Sequence, residues 1–418
     1  MKAHRVSLLV MCATLGAARL AADDFFDRLE DRLSASFLGD DLRARLSGTV
    51  ETEGYRFTTP APGLLNAGGR DLFAPRLAVF LDSQIGRHAY VFAQARVDHG
   101  FDPAGDETLR LRLDEYALRY TPWLNGRLHL QVGKFATVVG NWVPRHGAWG
   151  NPFITAPLPY ENLTGVWDSE AVKTSAALLQ WAHLRPGLPA FITAREKYLR
   201  LPIIWGPSYT VGAAAFGTTG KFSYAAEIKN ASLSSRPEEW SDGTTARWRH
   251  PTFGGRLGWH PNAMWAVGLS ASTGSYLRPF AQPTLVRGAS LESYRETVVA
   301  GDVGFAWHHW QAWAEVFTAR FAIPTVGHAD TTAYYAEVKY KFTPQFFGAV
   351  RWNQQLFARI PDRAGPTAWG RAAWRIDLAP GYRFTPHTQF KLQYSLTREA
   401  GAPRAHATTL AAQFTLRF

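Results

Sequence analysis

Apolar and polar residues alternate along most of this chain, and the pattern is plainest at its end. Ala405 to Phe418 reads AHATTLAAQFTLRF. One parity holds Thr408, Leu410, Ala412, Phe414, Leu416 and Phe418. The other holds Thr409, Ala411, Gln413, Thr415 and Arg417. A period of two predicts a β-strand whose faces meet different media. The same pattern starts at Asp41, where Leu42, Ala44, Leu46, Gly48 and Val50 share one face. Arg43, Arg45, Ser47, Thr49 and Glu51 share the other. Further strands are predicted at Arg76–Leu81, Ala89–Asp98, Leu109–Tyr120 and Arg127–Val138. A parity slip near Asp114-Glu115 points to a β-bulge.

Ten more candidates follow: Tyr209–Phe216, Phe222–Asn230, Phe253–His260, Met264–Ser272, Thr297–Trp307, Trp310–Arg320, Ala333–Phe342, Phe346–Phe357, Trp369–Phe384 and Thr388–Thr397. Short links such as Gly217–Gly220, His308-His309 and Thr385-Pro386-His387 pair them. Longer stretches separate the pairs: Ala231–Thr252, Thr273–Glu296, Ile323–Thr332 and Ala358–Ala368. With the last strand the count is 16. It becomes 18 if Val172–Trp181 and Phe191–Leu201 also cross. Short turns on one side, long loops on the other and an even count predict an all-β fold: a transmembrane antiparallel up-and-down β-barrel over 41–418. A propeller would need a blade-length repeat, and the only Trp-Asp pair is Trp167-Asp168.

The front of the chain changes the compartment. Residues 1–22 carry Lys2 and Arg5, a short apolar run and a small-residue end, which predicts a cleaved signal peptide. Residues 23–40 are expected to be a periplasmic segment, helical from Asp23 to Leu38 by its Phe25, Phe26, Leu29, Leu33 spacing. The single cysteine, Cys12, lies in the signal, so the mature chain has no disulfide or thiolate chemistry. Net charge is +11, or +8 once Lys2, Arg5 and Arg19 leave with the signal. An exported chain is not reading nucleic acid. The excess suits a bore that attracts anions, or an outer rim that meets lipopolysaccharide phosphate.

One stretch is too rich in Pro and Gly for a wall and too apolar for a free loop: GNWVPRHGAWGNPFITAPLPYENLTGVWD, Gly140 to Asp168. It opens a region, 139–206, far longer than an ordinary connection. Trp142, Arg145, His146, Trp149, Phe153, Tyr160, Glu161 and Trp167 are candidates for a pore constriction, since aromatic planes beside charges can select a solute. The alternative is an outward loop that caps the barrel.

The terminal strand resembles the C-terminal strand of bacterial outer-membrane porins. LQVGKFATVVGNW, Leu130 to Trp142, resembles the strand-to-loop passage of substrate-selective porins, the phosphate- and carbohydrate-selective classes. The resemblance implies passive diffusion of small hydrophilic solutes, contact with outer-membrane lipid and lipopolysaccharide, insertion by the barrel-assembly machinery, and commonly a homotrimer. It carries no individual binding residue. Arg43, Arg45, Arg96, Arg119, Lys339, Arg351 and Arg375 are candidate lumen charges. They are interleaved with Glu51, Asp98, Glu115, Glu227, Glu315, Glu337 and Asp377, which suits modest anion preference, though any one of them is more readily read as a cross-strand pair that stiffens the wall.

Other chemistry is thinly represented. No HExxH, Gly-x-Ser-x-Gly or phosphate loop occurs, so no metal, cofactor or catalytic residue is expected. His308-His309 reads as an interfacial turn, and Glu238-Glu239 as a solvated pair. Two alternatives stay open: a structural or adhesin barrel with an occluded lumen, and an outer-membrane barrel hydrolase.

Overall fold

The computed structural model describes residues 25–418 apart from 38–40, 59–60, 66, 68, 99–108, 185–193, 242 and 402–405; the expected signal peptide lies outside the described residues. Residues 25–32 form a helix, but the segment does not stay helical to Leu38. It turns into a short strand, β1 (Ser34–Phe37). The first half of the wall is β2 (Leu42–Phe57), β3 (Asp71–Ile85), β4 (Ala89–Asp98), β5 (Arg110–Tyr120), β6 (His129–Phe135), β7 (Thr210–Thr219), β8 (Phe222–Lys229) and β9 (Thr252–Trp259). The second half is β10 (Trp265–Ser275), β11 (Arg295–Trp307), β12 (Trp310–Ile323), β13 (Gly327–Lys341) and β14 (Phe346–Phe357). Two short strands, β15 (Arg359–Ile360) and β16 (Thr367–Ala368), pair outside the wall before β17 (Ala373–Arg383), β18 (Thr388–Glu399) and β19 (Ala407–Arg417) complete it.

Among the described residues, sixteen antiparallel strands close on themselves when β19 pairs with β2, Thr409 opposite Phe57 and Arg417 opposite Thr49. Phe418 extends this seam: its N–H donates to the Gly48 carbonyl at 3.0 Å and its carbonyl accepts from the Gly48 N–H at 2.8 Å. Below the seam β1 takes the edge of β2 that β19 does not reach. The 18-strand alternative fails. Ser175–Trp181 is a helix capped by the Thr174 side chain, and Ala194–Leu199 is a second helix; 191–193 lie outside the described residues. The expected loop Ile323–Thr332 shrinks to residues 324–326, because β12 and β13 run to within one turn of each other.

Burial is inverted relative to a water-soluble sheet. On β19 Leu410 is 54% exposed while Gln413 is 2% exposed. Thr409, Ala411, Gln413 and Thr415 face inward, so the polar parity is the interior. The predicted bulge is present: Gln94 pairs with Glu115 and Ala95 with Leu113, leaving Asp114 as the extra residue. Leu109, Leu111 and Leu113 therefore face out before the bulge, and Tyr116, Leu118 and Tyr120 after it. Outward Leu and Val form an apolar band. Exposed Trp259, Trp265, Trp307, Trp310, Phe342 and Phe384 ring the end with the short turns, as an interfacial girdle requires.

Candidate functional site: a folded segment inside the bore

The connection between β6 and β7, residues 136–209, turns into the barrel at Gly140. Its φ of 81° is left-handed, and a Cβ there would lie 2.8 Å from a Glu315 carboxylate oxygen. Only glycine fits this entry without moving the wall. The Gly140 N–H donates to Ser270 Oγ at 3.2 Å, and the Asn141 amide donates to Asp302 at 3.2 Å. The segment then lies across the bore, with anchors concentrated on β11–β19.

The sequence-predicted residues occupy this segment. Trp142 is buried against Tyr160, ring centres 4.6 Å apart, and the Tyr160 hydroxyl donates to Glu315 at 2.8 Å. Arg145 pairs with Glu337, donates to the Tyr335 hydroxyl at 2.9 Å and covers the Trp313 ring. His146 Nδ1 lies 2.5 Å from the Val143 carbonyl, so it carries the proton. Nε2, 2.6 Å away, then accepts from the Tyr209 hydroxyl. Burial pulls the His146 imidazole down to about 4; its Val143 hydrogen bond opposes this, while Arg96, Glu51 and Arg76 on the facing wall act in both directions. Trp149 sits between Arg383 and Arg417, Phe153 lies under Arg351 at 4.2 Å, and Glu161 accepts from Arg375. Trp167 stands apart, stacked on Trp181 at 4.2 Å toward the long-loop end.

The wall charges are largely partnered. Arg351 donates to Asp377 at 2.8 Å and to the Thr155 carbonyl at 2.9 Å; Arg375 holds Asp377 at 3.0 Å. Arg96 faces Asp114 at 3.2 Å, Arg45 pairs with Glu30 at 3.0 Å, and Lys339 rests on the Phe347 ring. Arg43 is exposed at the turn end, in register with Gln84. Arg119, like Lys339, has no carboxylate within ion-pair distance among the described residues; both its Nε and Nη2 donate to Gln131, at 3.1 and 3.0 Å. Arg76 and Arg112 complete a wall network with Glu51, Glu53 and Asp98 that the sequence reading did not single out. Lys391 was also missed. Its ammonium donates to the carbonyls of Ala148, Asn151 and Phe153 at 2.8, 2.9 and 3.2 Å. Its parity on β18 marked it as inward, but its partners lie some 240 residues away in sequence.

At the long-loop end the bore is packed. Trp205, Trp240, Trp369, Tyr276, Tyr294 and Tyr209 are buried in one apolar cluster with Phe317, Phe321 and Ile323 of β12. Arg236 grips Asp168 through two hydrogen bonds, 2.6 and 2.7 Å. Glu239 is not solvated as expected: Arg278 reaches it at 2.7 Å and Arg247 also pairs with it. At the turn end the bore keeps a hollow on one side. A cavity of about 530 Å³ lies between β4–β9 and the start of the segment, lined by Phe92, Glu115, Arg119, His129, Phe216 and Arg256 among others. A neighbouring space of about 270 Å³ shares Phe92, Glu115 and Arg119 and adds Asp82 and Tyr90.

No protein-family model and no curated protein sequence matches the chain. Solved structures do match in fold. OmpF of Salmonella typhi, in a complex with daunomycin, aligns over 92% of this chain and all of its own, with a TM-score of 0.55 and 11% identity. An anion-selective porin from Comamonas acidovorans aligns over 90% of this chain and all of its own, with a TM-score of 0.54 and 10% identity. The outer-membrane channel DcaP of Acinetobacter baumannii aligns over 92% of this chain and all of its own, also at 0.54 and 10%. With its closed wall, inward-folded segment and polar interior, the chain has the fold of the bacterial outer-membrane porins it resembles.

Proposed function

We propose that the chain is an outer-membrane porin through which small hydrophilic solutes diffuse passively, with no catalytic role. The observation that carries this reading is the inverted burial, an apolar exterior around a polar interior, combined with a segment folded across the bore beside a hollow of about 530 Å³. The segment from Trp142 to Glu161 is then the constriction. Export by a cleaved signal, assembly in the outer membrane and association into homotrimers belong to the same reading. Arg119 without a carboxylate partner supports modest anion preference, whereas the aromatic lining of the hollow would suit a sugar face as well.

The test is single-channel conductance of the refolded mature chain in a planar bilayer under a salt gradient. Stepwise channels with a reversal potential of anion sign are expected; a folded, inserted protein that stays silent would overturn the reading. A second reading, an occluded structural barrel, is favoured by one observation: an apolar cluster around Trp205 and Trp240 is buried toward the long-loop end. The same recording separates the two.

A further inference from the structure

The hollow at the turn end contains an arginine with one edge of its guanidinium unengaged. Gln131 occupies one edge of the Arg119 guanidinium, the edge made by Nε and Nη2. The end-on edge, Nη1 with the second proton of Nη2, has no partner among the described residues. That edge has the fork geometry that grips a carboxylate through two parallel hydrogen bonds. The neighbouring charges are already engaged. Arg256 donates to Asp302 at 2.7 Å, Asp82 accepts from the Tyr90 hydroxyl, and Glu115 accepts from the Ala136 N–H at 3.0 Å. No carboxylate touches the Arg119 guanidinium, and Asp82 and Glu115, held only by neutral donors, disfavour a dianion.

Aromatic rings surround that charge. Tyr90, Phe92 and Phe216 have ring centres 5.4, 5.8 and 5.0 Å from the guanidinium carbon. His129 stacks on Phe216 at 5.1 Å and 26°, which extends the flat aromatic wall. The volume falls in the range of small-molecule sites, roughly 300–1,000 Å³. We propose that Arg119 and these rings form a binding site for small aromatic monocarboxylates, the carboxylate on the free guanidinium edge and the ring against Phe92 and Phe216. This rests on the porin reading, in which the site would be a stop along the passage.

The experiment adds benzoate, acetate or phosphate to open channels of the full mature chain and scores transient current block. Benzoate block is expected at lower concentration than acetate or phosphate block. It should weaken roughly tenfold or more in Arg119→Gln, since a bidentate charge-assisted contact is lost. Phe216→Leu, which retains bulk, should narrow the gap between benzoate and acetate, and it serves if Arg119→Gln does not fold. Equal block by benzoate and acetate would overturn the aromatic assignment, and unchanged block in Arg119→Gln would overturn the site. If the folded chain forms no channels, the porin reading fails by itself. Titration calorimetry of benzoate into the refolded barrel in detergent then decides the site: binding lost in Arg119→Gln supports it, and absence of binding overturns it.

Discussion

Two residues where the inward segment meets the wall are held tightly enough to carry measurable predictions. Lys391 satisfies three backbone carbonyls of the segment at once. Lys391→Met keeps the stem but strands those acceptors in a buried place, which costs about 2–4 kcal/mol. Protease cleavage within 147–159 should speed up in this variant; unchanged cleavage would show that the lysine does not hold the segment. His146 gives a pH dependence. Its imidazole titrates near 4 when docked, against about 6.5 when free. An undocked segment therefore takes up the proton first as pH falls. Docking is fully supported above about pH 6.5 and weakens down to about pH 4, by roughly 1–3 kcal/mol for a partly exposed ring. Proteolysis of the segment at pH 7 and pH 4.5 checks this, with acceleration at pH 4.5 expected and lost in His146→Phe.

At the scale of elements, the segment from Gly147 to Pro159 is the one to remove. Its deletion takes away Phe153 and the carbonyls that engage Lys391, leaving that ammonium facing the bore. Conductance should rise about twofold or more, and the reversal potential should shift further to the anion side. Unchanged conductance would place the segment outside the permeation path. Element boundaries were legible wherever alternation was strict. The bulge at Asp114 was visible because a parity slip is what an extra residue produces on a two-faced strand. The region 172–201 misled because Val172, Leu178, Leu179 and Leu201 serve a packed core rather than a lipid face. Thr174 as a helix cap was the signal that could have separated helix from strand there. The destinations of Arg145, Glu161 and Lys391 were not legible, since each partner is fixed by barrel closure rather than by local pattern.

For the whole molecule, closure depends on the seam between β19 and β2. Phe418 completes it through two backbone hydrogen bonds, and its ring lies over Gly48, where an added Cβ would come within 2.5 Å of it. Phe418→Ser should reduce the folded, heat-modifiable fraction recovered in membranes; equal recovery would show that the last residue is dispensable. The wall has sixteen equivalent crossings, yet its contents differ from end to end. Apolar packing around Trp205, Trp240 and Trp369 lies toward the loop end, and the hollow around Arg119 toward the turn end. Such a barrel has sidedness. A solute arriving from the turn end meets Arg119 without passing the aromatic packing, whereas one arriving from the loop end must first find a gap through it. In channels inserted with a single orientation, benzoate added on the turn side should therefore block with the faster association rate, and reversing the side of addition should slow entry without changing the dwell time.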